Sequence, residues 1–384
     1  MVTRMVFSGT SYFGEGARSE LKTELQKRGF RKALLVTDKG LVDCGVASLV
    51  EAVLKEFEFP YEIFAEIKPN PTVENVLAGV SALKESKADV IVAVGGGSSI
   101  DTAKAIAVVI NNPENQDVVS LEGVDKNENP PLPVIALPTT AGTGSETTMD
   151  YVITNLKEKR KMACMCSIGV PVASILDSEL MAGLPLKMSV AVGMDALTHA
   201  VESFMAKGAN EFSTALSLKA ISLISENFIK LIENPKNLEV RKAMAMASFI
   251  AGMSFTNAGL GIVHSMAHPL SAFYDIPHGV ANALILPYII DFNSSSLSQE
   301  QVIQLGRAFS PDFCGNKYST VSHICQMIQE IEAMADLPLK LNELNVKKED
   351  LELLAESALS DCATLDNPKE VTKKDLLVLY KTMF

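Results

Sequence analysis

The chain has 384 residues, a formal net charge of −12 and a sequence pI near 5.0. This length favours two domains. The acidic balance, without any cluster of lysine and arginine, argues against nucleic acid or an anionic membrane as a partner. Six scattered cysteines with no CxxC pair indicate free thiols. Residues 1–7 contain no apolar signal core, and no apolar segment reaches about 18 residues, so we expect a cytoplasmic protein.

Short apolar segments alternate with helical patterns through the first half of the chain. Residues 89–94 form a continuous apolar run after Asp89, which is typical of a parallel strand buried on both faces. Asn70-Pro-Thr72 marks the start of a helix, with Thr72 as its N-cap. The predicted strands are residues 33–37, 61–67, 89–94, 133–137, 151–154, 162–167 and 172–176. This alternation predicts a parallel α/β domain over residues 1–184, with a hinge at 180–186.

Two loops rich in glycine and hydroxyl residues each follow one of these strands. Gly95-Gly-Gly-Ser-Ser99 leads into a helix predicted over residues 102–110, and Pro138-Thr-Thr-Ala-Gly-Thr143 follows the strand at 133–137. Glycines let backbone amides approach a ligand closely, and a helix N-terminus favours a diphosphate. Neither loop is a GxGxxG fingerprint, and either one alone could be a structural turn. Because both follow buried parallel strands, we predict a dinucleotide site.

Two charged residues are further candidates for contact with the dinucleotide. Asp38 ends the strand at 33–37, where its carboxylate could accept hydrogen bonds from ribose hydroxyls and repel a 2′-phosphate, which favours NAD over NADP. The alternative for Asp38 is a strand-to-helix turn residue. Lys161 ends a polar hairpin turn predicted at 155–161. It is either a nucleotide contact or a solvated lysine of the hairpin.

The second half of the chain has helical periodicity and few strand signals. Apolar residues recur at spacings of three and four, which predicts an all-helical domain over residues 185–384. The predicted helices are residues 189–205, 213–232, 238–256, 261–273, 299–309, 321–335, 348–359 and 373–382.

Four of the five histidines lie within residues 194–279. Asp195 and His199 are separated by four residues, as are His264 and His268, so each pair projects from one face of a predicted helix. Imidazoles with one carboxylate are the ligand set of a divalent transition metal. The spacing does not decide which of His264, His268 and His278 is not a ligand. The sequence therefore predicts a metal site with one histidine left for another role.

Five motifs in this order resemble the iron-containing (group III) alcohol dehydrogenases, and the resemblance extends over the whole chain. It is closest to the lactaldehyde reductase, or propanediol oxidoreductase, branch of that family. The motifs are Gly95-Gly-Gly-Ser98, Pro138-Thr-Thr-Ala-Gly-Thr143, Gly193-Met-Asp-Ala-Leu-Thr-His-Ala-Val-Glu202, Gly261-x-x-His-x-Met-Ala-His-Pro269 and Pro277-His-Gly-Val-Ala-Asn282.

The resemblance implies a role for each candidate residue. The metal ligands would be Asp195, His199, His264 and His278, and His268 would relay a proton beside the nicotinamide. It also implies a dehydroquinate synthase-like architecture, with an α/β NAD-binding domain followed by a helical metal domain, and a homodimer or larger assembly. Iron(II) is the family's usual ion, although the ligand chemistry also admits Zn²⁺. The implied cofactor contacts are Asp38, Asn70, Gly95, Gly96, Gly97, Ser98, Ser99, Thr139, Thr140, Thr143 and Lys161.

The implied activity is the NAD-linked interconversion of a short-chain primary alcohol or diol, such as 1,2-propanediol, and its aldehyde. Candidates for the substrate pocket are Met149, Asp150, Phe255 and Cys362. The chain departs from the family pattern at three positions. Ser99 replaces a common proline, Lys369 replaces a common arginine, and Asp150 stands where lactaldehyde reductase has asparagine beside the substrate. The change at Asp150 leaves the substrate open.

Other functions remain as alternatives at this stage. Another alcohol dehydrogenase of the same family, acting on 1,3-propanediol, ethanol, butanol or a hydroxyacid, fits the same motifs. A dehydroquinate synthase-like lyase would need basic residues for a phosphorylated substrate, and the helical half has no such cluster. A metal-dependent hydrolase would need an HExxH helix, which is absent. A catalytically silent NAD-binding protein would not need the intact ligand set.

Overall fold

The computed structural model describes residues 4–158 and 160–384. The first three residues of the N-terminal segment, and Lys159 of the predicted hairpin turn, therefore lie outside the described residues. The chain divides into two compact units, Met1–Leu184 and Pro185–Phe384. The first contains both sheets, and the second is built from helices.

The first unit is organised around a six-stranded sheet in which every neighbouring pair of strands is parallel. The strand order is β1-β9-β6-β4-β2-β3. The strands are β1 (Thr10–Phe13), β2 (Ala33–Asp38), β3 (Tyr61–Ile67), β4 (Val90–Gly95), β6 (Val134–Pro138) and β9 (Ala173–Leu176). The predicted parallel α/β domain is confirmed, and the edge strand β1 is an addition to it.

The central strands are buried on both faces, which explains their continuous apolar sequences. Along β2, Leu34 and Val36 belong to one hydrophobic core, whereas Ala33 and Leu35 belong to the other. Side chains alternate between the faces of a strand, so each face of the sheet packs against its own layer of helices. The carboxyl ends of β2, β4 and β6 consequently meet at one edge.

Two helix starts were predicted in the first unit, and the structure confirms one of them and moves the other. Thr72 is the N-cap of α4 as predicted, and it forms a capping box with Asn75. The helix α5 begins at Gly97, five residues before the predicted start, so Gly97, Ser98 and Ser99 form its first turn. The helices are α1 (Glu20–Lys27), α2 (Lys39–Asp43), α3 (Val46–Glu56), α4 (Val73–Ser86), α5 (Gly97–Asn111) and α6 (Ser178–Met181).

A second, three-stranded sheet consists of β5 (Gly123–Val124), β8 (Arg160–Met165) and β7 (Asp150–Asn155). The strands β7 and β8 are antiparallel, as expected for a hairpin. The prediction that Lys161 lies in the turn is wrong, because β8 already begins at Arg160 and Lys161 pairs with Thr154. The backbone amide of Thr154 donates to the carbonyl of Pro71 over 2.7 Å, which fixes the hairpin to the start of α4.

The second unit has no strand among its described residues, and the predicted helical domain is confirmed. Its helices are α7 (Leu186–Met205), α8 (Glu211–Glu233), α9 (Leu238–Ala258), α10 (Ile262–Tyr274), α11 (His278–Ser294), α12 (Gln299–Phe309), α13 (Lys317–Met334), α14 (Leu351–Leu359) and α15 (Lys373–Thr382). In the described part of the chain no single helix has the length and apolarity to cross a membrane. Only α9 and α10 taken together, across a bend of 106°, have the necessary length and composition.

The helix α11 is the element of this unit that the sequence did not predict. It begins at His278, contains Pro287, and buries residues around its whole circumference from Val280 to Asn293. A helix that is apolar on every side has no periodic contrast between a buried and an exposed face. The position of α11 nevertheless determines where His278 lies, because His278 is the first residue of this helix.

Candidate active site

The two glycine-containing loops of the first unit lie side by side. Gly95 pairs with Pro138 at the ends of β4 and β6, and the amide of Thr139 donates to the carbonyl of Gly95 over 3.0 Å. A methyl group added to Gly97 would come within 2.6 Å of the Thr143 side chain, and one added to Gly96 within 3.1 Å of Thr140. The loops therefore bring together the predicted cofactor residues Gly95, Gly96, Gly97, Ser98, Ser99, Thr139, Thr140 and Thr143.

The start of α5 has the properties of an anion-binding site. Gly95 has a φ of +154°, a backbone conformation that side chains with a Cβ rarely adopt. The N-cap Gly96 provides no side-chain cap for the helix. The first backbone amides of a helix have no partner within the helix, and they carry its positive partial charge. Such a helix start is suited to the diphosphate of a dinucleotide.

Three other predicted cofactor residues border this region within the first unit. Asp38 ends β2, next to β4, and its Oδ1 accepts a hydrogen bond of 3.0 Å from the amide of Leu41. Asp38 therefore caps the turn between strand and helix, as the alternative interpretation of this residue expected. Its carboxylate also lies at the edge of the sheet where the dinucleotide is predicted to bind. Asn70, with φ +52°, lies in the turn after β3. The bond from Thr154 to Pro71 brings the strand of Lys161 close to this turn.

The segment that carries Met149 and Asp150 is fastened to α5 by a buried lysine. Lys104 is 2% exposed, and its Nζ donates to the carbonyls of Thr148 and Asp150, each over 2.8 Å. It also donates to the hydroxyl of Thr148 over 3.1 Å. Met149 and Asp150 are both half-buried. The helix α5, whose first turn is the predicted diphosphate site, thus also anchors the segment with the two candidate pocket residues.

Asp101, one turn before Lys104, provides a second attachment. Its Oδ2 accepts a hydrogen bond of 3.0 Å from the amide of Val152, and its Oδ1 accepts one from the hydroxyl of Ser145. Burial lowers the pKa of Lys104 to about 8, against the opposing charge of Asp101. Burial also raises the pKa of Asp101. Lys104 is enclosed in the protein and Asp101 is half-buried, and both contact main-chain groups of the segment, so their role is to support it.

In the second unit, the three predicted histidine ligands lie around one carboxylate oxygen of the fourth, Asp195. Asp195 and His199 lie on α7, His264 on α10 and His278 at the start of α11. The three imidazole Nε2 atoms lie 4.0, 3.8 and 3.8 Å from Oδ1 of Asp195. Two ligands of one ion at bond lengths of about 2.1 Å can be at most about 4.2 Å apart. Ligand atoms of Asp195, His199 and His264 lie within 4.8 Å of one another and could hold one ion, whereas His278 is related to this group by its distance to Asp195 alone.

The surroundings of this metal cluster (Asp195, His199, His264 and His278) support that interpretation. The rings of His199 and His264 stack with their centres 4.6 Å apart, and Phe255 stacks on the other side of His199 at 4.5 Å. Phe255, a predicted pocket residue, is thus in contact with the cluster. Imidazole nitrogens and a carboxylate oxygen that face one another in a buried site suit a divalent transition metal.

His268 lies beside the cluster and has a different partner. Its ring stacks on His278 at 5.3 Å, while its Nδ1 lies 2.7 Å from Oδ2 of Asp361. Burial alone would raise the pKa of Asp361, but the charge and hydrogen bond of His268 outweigh it and hold the pKa below its usual value. Asp361 is therefore ionised and orients the imidazole. Cys362, the remaining predicted pocket residue, follows Asp361 and is exposed.

Three residues that the sequence did not single out support the ligands and His268. Oε2 of Glu202 lies 2.5 Å from Nδ1 of His264, and its Oε1 accepts a 2.6 Å bond from the amide of Val263. The amide nitrogen of Asn282 donates to Oδ1 of Asp195 over 2.7 Å. The third is Asp361. Metal-binding histidines commonly have such a carboxylate on their second nitrogen.

The electrostatic state of Glu202 depends on whether a cation is near. The side chain is 1% exposed, and this burial raises its pKa to about 8, against the hydrogen bond from Val263 and the charge of His199. A positive ion on the opposite side of the His264 ring would favour the ionised carboxylate. Glu202 and a cation in the cluster would thus stabilise one another.

Comparison with known proteins assigns the chain to a class. Residues 8–178 match the family description "Iron-containing alcohol dehydrogenase", and residues 189–384 match "Fe-containing alcohol dehydrogenase family, C-terminal". The chain belongs to the iron-containing alcohol dehydrogenase family and is an oxidoreductase.

Three relatives show the extent of the similarity in sequence and in structure. The chain is 39% identical to lactaldehyde reductase of Escherichia coli (strain K12), over 100% of both chains. The crystal structure of a 1,3-propanediol oxidoreductase has a TM-score of 0.96 and 35% identity, again over 100% of both chains. Sulfoacetaldehyde reductase from Bifidobacterium kashiwanohense, solved in complex with NAD+, has a TM-score of 0.87 and 28% identity, over 100% of this chain and 99% of that chain. These similarities confirm the predicted family and fold.

Proposed function

We propose that the protein is an NAD-linked, iron-dependent alcohol dehydrogenase that interconverts a short-chain primary alcohol or diol, of the 1,2-propanediol type, and its aldehyde. The observation that carries this proposal is the convergence of three imidazole nitrogens on one Asp195 carboxylate oxygen, at 3.8 to 4.0 Å. The 39% identity to a lactaldehyde reductase supports the substrate class. The cytoplasmic location and the homodimeric or larger assembly remain predictions of the sequence.

The metal cluster fits a divalent ion, because its donors are three imidazoles and one carboxylate, and all four side chains lie mostly within the protein. A bound ion there would supply Lewis-acid stabilisation of the negative charge that develops on the alcohol oxygen. Glu202 orients His264 through its Nδ1, and Asn282 contacts Asp195. Phe255 covers one face of His199 and limits the access of water to that side.

The first unit provides the binding site for the coenzyme in this proposal. The amides at the start of α5 would bind the diphosphate, and the carboxylate of Asp38 would accept hydrogen bonds from ribose hydroxyls. Bound NAD+ would accept the hydride, which is the cofactor's own chemistry. The NAD+ complex of the structurally similar sulfoacetaldehyde reductase supports the choice of coenzyme.

His268 is the residue proposed to move the proton. Because Asp361 accepts at Nδ1, the proton of the neutral imidazole is held on that nitrogen, and Nε2 is left as the basic atom. That nitrogen can accept the alcohol's proton in one direction and return it in the other.

A substrate panel tests the proposal. NADH formation is followed with 1,2-propanediol, 1,3-propanediol, ethanol and butanol, with and without a chelator, and in parallel for an Asp195→Asn variant. We expect diol turnover that is abolished by the chelator and by the substitution. An enzyme that turns over none of these alcohols, or their aldehydes with NADH, would refute the dehydrogenase proposal. Full activity with zinc and indifference to oxygen would refute the choice of iron.

Asp150 is the proposed determinant of preference among these alcohols. Its carboxylate places a negative charge where the asparagine of lactaldehyde reductase has a neutral amide. We expect Asp150→Asn to shift kcat/KM towards 1,2-propanediol relative to ethanol, measured on the same panel. An unchanged ratio would show that Asp150 does not contact the substrate.

A further inference from the structure

We propose that Asn282 is a positioning residue for the metal: its side-chain amide holds Asp195 towards the three imidazoles and so sets the affinity for the ion. This inference rests on the proposed metal site. Asn282 lies on α11, four residues after His278, whereas Asp195 lies on α7. The contact therefore joins two of the three helices that carry the ligands.

The geometry places the amide nitrogen of Asn282 against three members of the metal cluster. It lies 2.7 Å from Oδ1 of Asp195, 3.2 Å from Nε2 of His278 and 3.4 Å from Nε2 of His264. Among the described residues, this is the one hydrogen bond donated to the Asp195 side chain. A hydrogen bond to an ionised acceptor is roughly twice as strong as a neutral one. Asn282 is thus the group that fixes the direction of the carboxylate.

A purely structural role does not account for an asparagine at this place. Asn282 is fully buried, and its side-chain oxygen has no hydrogen-bond partner among the described residues. A buried acceptor without a partner costs about 1–3 kcal/mol. The surrounding helix α11 is apolar on all sides, and leucine, whose side chain has the same number of heavy atoms and the same branching, would avoid that cost. The amide is explained by its contact with Asp195.

The test measures the binding of cobalt(II) to the full chain by chelator competition, together with the visible spectrum of the bound ion. In Asn282→Leu, we expect the dissociation constant to rise about 10- to 100-fold, as is typical when a group that orients a metal ligand is removed. The visible bands should change as well, because the carboxylate loses its fixed orientation. The smaller variant Asn282→Ala should show the same weakening, and far-UV circular dichroism should report an unchanged helix content for both.

Asn293→Leu is the matched control, because Asn293 is also a buried asparagine of α11 and pairs with Asn367 instead of the cluster. We expect its affinity for cobalt(II) to equal that of the wild type. Wild-type affinity in both Asn282 variants, or equal weakening in Asn293→Leu, would overturn the inference. Loss of folding in both Asn282 variants, with Asn293→Leu intact, would show a structural role and also overturn it. If the wild type binds no cobalt(II), the metal site itself fails, which is a separate result.

Discussion

Glu332, on α13 and far in sequence from the metal cluster, should make the stability of the protein depend on pH. The residue is 1% exposed, and its Oε1 has no hydrogen-bond partner among the described residues. Burial raises its pKa from 4.5 to about 8. The folded protein therefore holds this proton more tightly than the unfolded chain. The stabilising contribution is complete below the unfolded pKa and is lost as the pH rises through the folded value.

The size of the effect follows from the width of this pH interval. Between the two pKa values the unfolded chain is ionised at Glu332 and the folded chain is not, so stability falls by about 1.4 kcal/mol per pH unit. Over about two units, from pH 5.5 to pH 7.5, the loss is about 2.7 kcal/mol. Glu332→Gln cannot ionise and lacks this loss. Its stability relative to the wild type should therefore increase by the same amount over this range.

The measurement is urea-induced unfolding of wild type and Glu332→Gln at several pH values above the pI. The quantity to follow is the difference in the free energy of unfolding between the two proteins at each pH. The other titratable groups contribute equally to both proteins and cancel in this difference. Glu330→Gln, at an exposed position of the same helix, is the control and should leave the pH dependence unchanged. If wild type and Glu332→Gln lose stability in parallel from pH 5.5 to 7.5, the buried carboxyl ionises normally and the reasoning is refuted.

Three further predictions concern the coenzyme and the proton. Gly97→Ala should weaken NADH binding at least about 10-fold in a fluorescence titration, since its methyl would approach Thr143 to 2.6 Å; Gly183→Ala, with no atom within 4 Å of the new methyl, should bind normally. Asp38→Ser, which retains a helix cap but not the charge, should raise kcat/KM for NADP+ relative to NAD+; an unchanged ratio contradicts the ribose assignment. Asp361→Asn should lower kcat about 100-fold without changing metal content, and an unchanged kcat would exclude it from orienting the proton relay.

The sequence predicted the elements whose signals are local. Continuous apolar runs located the central strands, and Thr72 located the start of α4. The start of α5 was predicted too late, because glycine has a low helix propensity. In the structure the helix nevertheless begins at Gly97, which packs against Thr143. The helix α11 was missed because it is apolar on every side, so its sequence contains no helical periodicity.

The candidate site was predictable as far as spacing within one helix allows. Asp195 and His199 are one helical turn apart on a helix that the sequence predicted. His278 and Asn282 have the same spacing, but the sequence did not predict α11, so it did not relate these two residues. No local pattern connects His268 with Asp361, which is 93 residues away. Such partners are brought together by the packing of helices, which a single sequence does not encode at any fixed spacing.

The attachment of residues 148–150 to α5 has a consequence for how the substrate range of this fold can change. Lys104 holds the segment through the main-chain carbonyls of Thr148 and Asp150, and Asp101 holds the next stretch through the amide of Val152. Main-chain groups are the same in every amino acid. Replacement of the side chain at 149 or 150 therefore leaves these anchors in place, and the two proposed pocket residues can vary while the segment stays attached to α5.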